Sequence, residues 1–349
     1  MSSVLSPQSS VLSPQSSVLS PNCILKFLKV SLKIIVSGIL ALVILCIGCL
    51  FYYNIPLACT DKDYVTNSKR EANKFYLYGC EGIGWGWTNN DGYMSVIDYI
   101  PRMNIEVLIM GSSHMEAHQV MQENSAASLL NVYYGMTTYN VGISGHFFDV
   151  CASHLKAAVK KYKPSFTVIE THSVNFTEKA VNDILHYNVV PKDVIHDKGI
   201  ASVMRKFTYL KLLYRQLPLM LQQPKKNTPE KPASREILSE MFAKLNEDVS
   251  LSGAKLIIAY HPSVSLNKDG TMKINDDPEV VKQFSELCAE NGIYFLNMAG
   301  RFLEEYEKDY TLPYGFANTS VGKGHMNVYG HRMFADEIYR LIQRIGAGS

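Results

Sequence analysis

The sequence predicts a doubly wound, flavodoxin-like α/β domain with a parallel sheet of about five strands and a helical insertion, preceded by one transmembrane helix. Two observations predict it. Short apolar runs alternate with amphipathic helical patterns after residue 101, and an uncharged apolar stretch lies near the N-terminus. Continuous apolar strands separated by helices are typical of a parallel sheet covered on both faces. A chain of 349 residues with 47% hydrophobic content can fill such a core.

The N-terminal region is predicted to be a cytoplasmic tail followed by a membrane span. Residues 1–33 contain a threefold repeat with a proline in every unit, which favours disorder over a helix. Residues 34–53 carry no charge and, at about 1.5 Å per residue, can cross a hydrocarbon core of about 30 Å. Three lysines precede this stretch, so the remainder of the chain is expected to be extracytoplasmic. A cleaved signal peptide is the alternative, although its apolar core usually has only about 7 to 15 residues.

Residues 54–100 are predicted to be a juxtamembrane segment without an assigned chemistry, and residues 101–349 the α/β domain. Capping signals place two of its helices: Asp277 before a helix that starts at Pro278, and Asn327 before the last helix. Residues from Asn175 to about Pro232 are the predicted helical insertion. The predicted strands are Glu106–Met110, 137–143, Phe166–Glu170, Lys255–Tyr260 and Ile293–Met298.

Charge and composition narrow the classes of partner. The 34 basic and 32 acidic residues nearly cancel, so the chain lacks the electrostatic field of a nucleic-acid binder. In a doubly wound fold the ligand crevice lies beyond the carboxyl ends of the strands. The candidate site residues that follow predicted strands in this way are Ser113, His114, Gly145, His146, His172, Asn175 and His261.

Three pieces of sequence could assemble a serine nucleophile. Ser113 in "GSSHMEAH" supplies a hydroxyl at a strand-to-helix turn, and Gly145 in "NVGISGH" could direct its N–H group at an oxyanion. His325 in "GHMNVYGH" lies just before the last helix and could accept the serine proton. Each piece alone has a plain interpretation as a turn or loop residue.

Taken in order, "LIMGSSH", "NVGISG" and "HMNVYGH" resemble the three blocks of the SGNH, or GDSL-like, hydrolase superfamily over about Ile105 to Ile345. The resemblance implies that Ser113 is the nucleophile, that His325 is the general base, and that the N–H groups of Ser113 and Gly145 are oxyanion donors. Asn175 is the nearest candidate for the family's third-block asparagine, with His172 and Ser173 as competitors.

One departure from the family concerns the acid. Gly322 stands three places before His325, where the family commonly has an acidic residue, so a Ser–His dyad with His325 held by a backbone carbonyl is expected. His114, His146, His172, His261 and Asn140 are assigned to substrate binding. No cofactor is predicted, and no metal, because the HExxH pattern is absent from the sequence.

The leading hypothesis is a membrane-anchored, extracytoplasmic serine esterase or O-acyltransferase that acts on cell-surface polysaccharides or glycopolymers. A membrane-bound acyl-donor protein is a further expected partner, and nucleic acid is not. One alternative, suggested by Gly322, is a non-catalytic glycan-binding or scaffold protein. The other is a metal-dependent hydrolase that uses the rim histidines.

Overall fold

A long helix, α1 (Pro21–Leu50), opens the computed structural model, which describes residues 21–63, 65–187 and 230–347. Its segment Ile24–Leu50 contains an 18-residue stretch with a mean hydropathy of 2.7 and is long and apolar enough to cross a membrane, features that a signal sequence shares. The helix includes residues 21–33 because that part of the predicted tail has no internal proline or glycine. Residues 1–20, which hold most of the repeat, lie outside the described residues.

Short antiparallel strands follow α1 in the segment that was predicted as a juxtamembrane stretch. One sheet has the order β1-β4-β5, and β2 pairs with β3. Tyr76, Tyr78, Ile55 and Met94 form a small buried cluster beneath the first sheet. These strands are β1 (Tyr53–Asn54), β2 (Ala58–Thr60), β3 (Ser68–Arg70), β4 (Phe75–Tyr78) and β5 (Gly84–Trp87).

The α/β body contains the remaining described elements. Its first half consists of β6 (Val107–Met110), α2 (Ser113–Glu116), a 3₁₀ turn (Gln122–Asn124), α3 (Ala126–Val132), β7 (Thr138–Asn140), α4 (Phe148–Tyr162), β8 (Phe166–Thr171) and α5 (Glu178–Leu185). Its second half consists of α6 (Arg235–Ser250), β9 (Lys255–Tyr260), β10 (Val264–Leu266), β11 (Met272–Ile274), α7 (Pro278–Glu290), β12 (Tyr294–Asn297), α8 (Ala299–Asp309) and α9 (Val328–Ala347).

The predicted parallel sheet is confirmed, with spatial order β7-β6-β8-β9-β12. All four pairings are parallel, and in chain order this is the 2-1-3-4-5 arrangement of flavodoxin-like folds. Side chains alternate between the faces, so Leu108 and Met110 enter one buried cluster with α4 to α7. Val107 and Ile109 enter the other cluster with α3, α8 and α9. Helices therefore cover both faces, as a doubly wound sheet requires.

Both predicted helix starts are confirmed. The Asp277 side chain accepts a hydrogen bond from the Glu279 backbone N–H at 2.9 Å, with Pro278 as the first residue of α7. The Asn327 Oδ1 accepts hydrogen bonds from the N–H groups of Tyr329 and Gly330. Within the region of the predicted insertion, α5 is helical, and residues 188–229 lie outside the described residues.

Candidate active site

Strand β6 ends at a tight turn that delivers Ser113 to the carboxyl rim of the sheet. A Cβ atom at Gly111 would lie 2.5 Å from the Met115 Cγ and 2.7 Å from the Glu170 Oε2, so the turn needs a glycine there. Ser112 then caps α2, because its Oγ accepts a hydrogen bond from the His114 N–H at 3.4 Å. Ser113 is the first residue of α2 and lies at the crevice.

His325 lies between Ser113 and the side chain of Glu81, which is 244 residues earlier in the chain. Its Nε2 is 2.8 Å from the Ser113 Oγ, and its Nδ1 is 2.6 Å from the Glu81 Oε2. The His325 backbone N–H also donates to the Glu81 Oε1 at 2.8 Å. One carboxylate thus holds both the ring and the backbone of the histidine.

The carboxylate of Glu81 fixes which ring nitrogen of His325 carries a proton. An ionised carboxylate only accepts hydrogen bonds, so Nδ1 is the donor in this pair. In the neutral imidazole the lone pair is then on Nε2, where it can accept the hydrogen bond of the Ser113 hydroxyl. This is the orientation in which an imidazole can remove a serine proton.

Glu81 corrects the expectation that a backbone carbonyl holds His325. The position three residues before the histidine is a glycine, as the sequence shows, and the acid comes instead from the turn between β4 and β5. Gly324 makes room for it, because a Cβ atom there would lie 2.2 Å from the Glu81 Oε1. Gly324 also has a φ of +91°, which favours glycine.

The turn that carries Glu81 is fastened to the α/β body by one asparagine. The Asn318 Oδ1 accepts a hydrogen bond from the Gly82 N–H at 2.8 Å. The Asn318 Nδ2 donates to the carbonyl oxygens of Gly79 and Gly82 at 3.1 and 3.0 Å. Three hydrogen bonds therefore set the position of the turn and of its carboxylate.

A pocket of about 300 Å³ lies beside the Ser113–His325 pair. The ring of His114 lies 5.1 Å from the ring of His325, and Gly324 is the residue before that histidine. The residues that line the pocket are His114, His172, His261, Ser263, Val264, Asn275, Tyr314, Gly322, Lys323 and Gly324. Three of the histidines assigned to substrate binding thus share one cavity.

His261 belongs to a buried hydrogen-bond network beneath this pocket. Its Nε2 is 2.6 Å from the Glu170 Oε1, and its Nδ1 is 2.8 Å from the Tyr314 Oη. The Tyr314 hydroxyl donates to the Pro262 carbonyl at 2.8 Å, so Nδ1 must be the donor to Tyr314. Burial raises the pKa of Glu170, but the hydrogen bond and charge of His261 outweigh it and lower this pKa to about 2. The Glu170 carboxylate is therefore ionised beside His261.

His114, the neighbour of Ser113, is a neutral imidazole. Burial, followed by the charge of His261, holds the pKa of His114 well below its ordinary value. Its Nδ1 accepts a hydrogen bond from the Met326 backbone N–H at 3.1 Å, which leaves the proton on Nε2. The side chain is thus a hydrogen-bond donor on the wall of the pocket.

Three other predicted residues lie elsewhere. The Asn140 side chain is buried, donates to the carbonyl groups of Met94 and Met115, and accepts from the Gly142 N–H, so it has no N–H donor left for a substrate. His146 is buried, and that burial lowers its pKa to about 4. Asn175 lines a separate cavity with Phe176 and Arg235. His172, which directly follows β8, is the residue of that block that reaches the Ser113 pocket.

Gly145 lies exposed in the loop after β7 with a φ of +85°. The preceding residue, Ser144, donates from both its backbone N–H and its hydroxyl to the Glu116 carboxylate. Arg70 pairs with the same carboxylate at 2.7 and 3.1 Å. Burial raises the pKa of Glu116, but the Arg70 charge outweighs it and lowers the pKa to about 2. An ionised buried glutamate therefore ties the Gly145 loop to α2.

Comparison with known proteins gives likenesses among solved structures. A psychrotrophic esterase, EstA from Pseudoalteromonas sp., is 16% identical over 69% of this chain and 98% of its own, with a TM-score of 0.37. The acetyl xylan esterase AlAXEase is 16% identical over 68% and 100%, with a TM-score of 0.39. A GDSL-like lipase from Bacteroides thetaiotaomicron is 12% identical over 69% and 88%, with a TM-score of 0.35.

The chain is similar to SGNH and GDSL-like hydrolases. This is the superfamily that the three sequence blocks resemble. No family model matches the chain, and no curated protein matches it. The part played by each side chain therefore rests on the distances within the site.

Proposed function

We propose that this protein is a membrane-anchored, extracytoplasmic serine esterase that removes O-linked acyl groups from cell-envelope glycans, with Ser113, His325 and Glu81 as its catalytic residues. The observation that carries the proposal is the hydrogen-bonded series Ser113 Oγ, His325 and Glu81, with contacts of 2.8 and 2.6 Å. Such a series is the geometry by which serine hydrolases activate a hydroxyl.

In the proposed reaction the Ser113 Oγ attacks the ester carbonyl carbon while the His325 Nε2 takes the serine proton. The imidazolium that forms is stabilised by Glu81. His325 then gives the proton to the departing sugar oxygen, which leaves an acyl group on Ser113. Water attacks this acyl-enzyme with the same histidine as base, and the acid is released. The backbone N–H groups of Ser113 and Gly145 are the proposed donors to the oxyanion in both steps.

The pocket beside Ser113 supports a carbohydrate ester as the substrate. Its lining combines imidazole rings, the Ser263 hydroxyl, the Asn275 amide and the Lys323 amine. Such groups can hydrogen-bond sugar hydroxyls. His114 and His172, which both line this pocket, are the proposed sugar-binding residues.

Transfer of the acyl group to a sugar hydroxyl instead of water is the same chemistry with another acceptor. An O-acyltransferase would need an acyl donor delivered to Ser113, for which a membrane-bound partner is the proposed source. The helix Ile24–Leu50 supports the proposed location, with the α/β body on the outer side of the membrane.

The site geometry supports the two alternatives less well. The non-catalytic alternative rested on the missing acid at Gly322, and Glu81 supplies a carboxylate to His325. The metal alternative needs free imidazole nitrogens, but both nitrogens of His261 and both of His325 already have hydrogen-bond partners.

The test is hydrolysis of p-nitrophenyl acetate and of acetylated xylan by the full chain in detergent. Ser113→Ala and His325→Ala should each lower kcat by about 10³-fold or more. Ser153→Ala and His186→Ala are matched controls on α4 and at the end of α5, and they should retain the rate.

Covalent labelling identifies the nucleophile independently of the substrate. A fluorophosphonate should add its mass to the peptide that contains Ser113 and should not label the Ser113→Ala variant. Absence of both turnover and labelling would refute the serine mechanism. Loss of activity on chelation, with Ser113→Ala still active, would establish the metal alternative instead.

A further inference from the structure

In strand β5 the small residues face the core and the large apolar residues face outward, which is the reverse of the usual pattern. Gly84 and Gly86 face inward, whereas Trp85 and Trp87 face outward and are 42% and 57% exposed. A Cβ atom at Gly84 would lie 2.0 Å from the His118 carbonyl oxygen, and one at Gly86 would lie 2.4 Å from the Gln122 side-chain oxygen. The inner side therefore admits only glycine, and both tryptophans must lie on the outer side.

Neighbouring residues extend the tryptophans into a continuous apolar surface. Trp87 is opposite Phe75 and Trp85 is opposite Leu77, and directly opposed residues share one face of a sheet. The Phe75 and Trp87 rings are in edge contact, 5.4 Å apart. Ile83, two residues before Trp85, is 67% exposed and continues the alternation. We call these five residues the hairpin face; exposed apolar surfaces of this kind mark interaction sites.

The hairpin face belongs to a sheet whose first strand begins three residues after the last residue of α1. That helix ends at Leu50, and β1 begins at Tyr53, so at most about 10 Å of extended chain separates them. Strand β1 pairs with β4, and Asn54 is opposite Leu77. Because paired strands lie about 4.8 Å apart, the hairpin face is within about 10 Å of the backbone of β1.

We propose that the hairpin face binds the headgroup region of the bilayer that α1 crosses. The proposal rests on the membrane anchoring proposed above, because an embedded helix would leave the bilayer only a few residues before β1. Tryptophan is enriched at this depth, where its ring meets apolar chains and its N–H group meets water. The turn of the same hairpin carries Glu81, so lipid contact would also set the height of that carboxylate above the membrane.

A glycan platform is the competing occupant, since aromatic faces also stack on sugars. The hairpin face contains Phe75, Leu77 and Ile83 beside its tryptophans, and none of these three side chains can hydrogen-bond a sugar hydroxyl. Its composition and its position near the end of α1 therefore favour lipid.

The sequence supplies a direct probe, because Trp85 and Trp87 are the two tryptophans of the chain. The full-length protein is reconstituted in phosphatidylcholine vesicles whose acyl chains carry bromine either near the headgroup or near the methyl end. Flotation confirms that the protein is in the membrane. We expect bromine near the headgroup to remove most of the tryptophan emission and deep bromine to remove less.

The matched control places a tryptophan far from the hairpin face, at position 251. Leu251 is 73% exposed and precedes β9 at the amino edge of the sheet, opposite the rim that holds Glu81. Leu251→Trp in a Trp85→Phe, Trp87→Phe background should keep its emission in the same vesicles.

Equal quenching of both proteins, or no quenching of the native protein although it floats, would overturn the proposal. So would a protein that fails to float, or emission that responds to added xylan and not to bromine. Esterase activity is measured separately, so failure of the lipid contact is distinguishable from failure of the catalytic proposal.

Discussion

Two glutamate–histidine pairs lie at the carboxyl rim of the sheet, each with an N···O distance of 2.6 Å. In the Glu81–His325 pair the side chains are 17% and 28% exposed, whereas in the Glu170–His261 pair both are 1% exposed. The far nitrogen of His325 contacts a serine hydroxyl, and that of His261 contacts the Tyr314 hydroxyl, whose proton is already donated to Pro262. The Nε2 of His325 thus contacts a hydroxyl that can release its proton to it, whereas the Nδ1 of His261 donates to a hydroxyl that is already committed to Pro262. The same pair of residue types is therefore proposed to catalyse in one place and to hold the fold in the other.

Replacing the rim carboxylate should give the largest effect. In Glu81→Gln the amide can donate to the His325 Nδ1, which favours the tautomer with its proton on Nε2, so that the imidazole no longer accepts from Ser113. We expect kcat to fall by about 10²- to 10⁴-fold while the free energy of unfolding changes by about 1 kcal/mol or less. Ester hydrolysis and urea unfolding measure the two quantities. Full activity in Glu81→Gln would mean that another group orients His325.

The buried pair should respond in the opposite way. In Glu170→Gln the amide can donate to the His261 Nε2 while its oxygen accepts from Ser112, whose N–H now bonds the carboxylate at 2.6 Å. Both hydrogen bonds survive, so we expect this variant to fold. Glu170→Ala leaves the N–H of Ser112 and the ring of His261 without acceptors, and it should lose about 3 to 5 kcal/mol of unfolding free energy. Equal stability of the Ala and native proteins would contradict a structural role for the pair.

Acid titration sharpens the same comparison. The pKa of Glu170 in the folded protein is about 2, below its ordinary value of 4.5. Its contribution to stability is thus present above about pH 4.5 and is lost as the pH falls towards 2, because the unfolded state binds the proton first. The decline of unfolding free energy over this range should be shallower in Glu170→Gln than in the native protein. An unchanged slope would show that other groups cause the acid unfolding.

The sequence predicts the elements whose signals are local. The apolar runs of β6, β8 and β9 and the caps at Asp277 and Asn327 each depend on neighbouring residues, and the rule for doubly wound sheets brings the strand ends together. Glu81 could not be found in this way, because 244 residues separate it from His325. Gly324 is the signal that remained, because the absence of a side chain there leaves the space beside the histidine that Glu81 fills.

Other features that the sequence did not predict depend on the direction in which a side chain points. Asn140 does end a strand at the rim, but its amide turns inward, where three backbone groups satisfy it. Glu116 and Glu170 are both buried, and the pKa of each is lowered to about 2 by a basic partner, Arg70 for Glu116 and His261 for Glu170. A single acid in a buried segment predicts a charged partner but does not identify it, since Arg70 comes from a different sheet.

The smallest expected effect tests whether the Glu81–His325 pair depends on the hydrogen bonds that position the turn of Glu81. Asn318→Ala removes the three hydrogen bonds to residues 79 and 82, which leaves Glu81 and His325 chemically intact but less firmly placed. We expect kcat to fall by about tenfold, equivalent to about 1.4 kcal/mol, with KM unchanged, because a misplaced carboxylate weakens the transition state more than substrate binding. Asn267→Ala, in the exposed turn between β10 and β11, is the control and should retain kcat. If Asn318→Ala also kept the native rate, the contacts of Glu81 with the His325 backbone and ring would be enough to position the turn. The Glu81–His325 pair would then need no further support, like the buried Glu170–His261 pair.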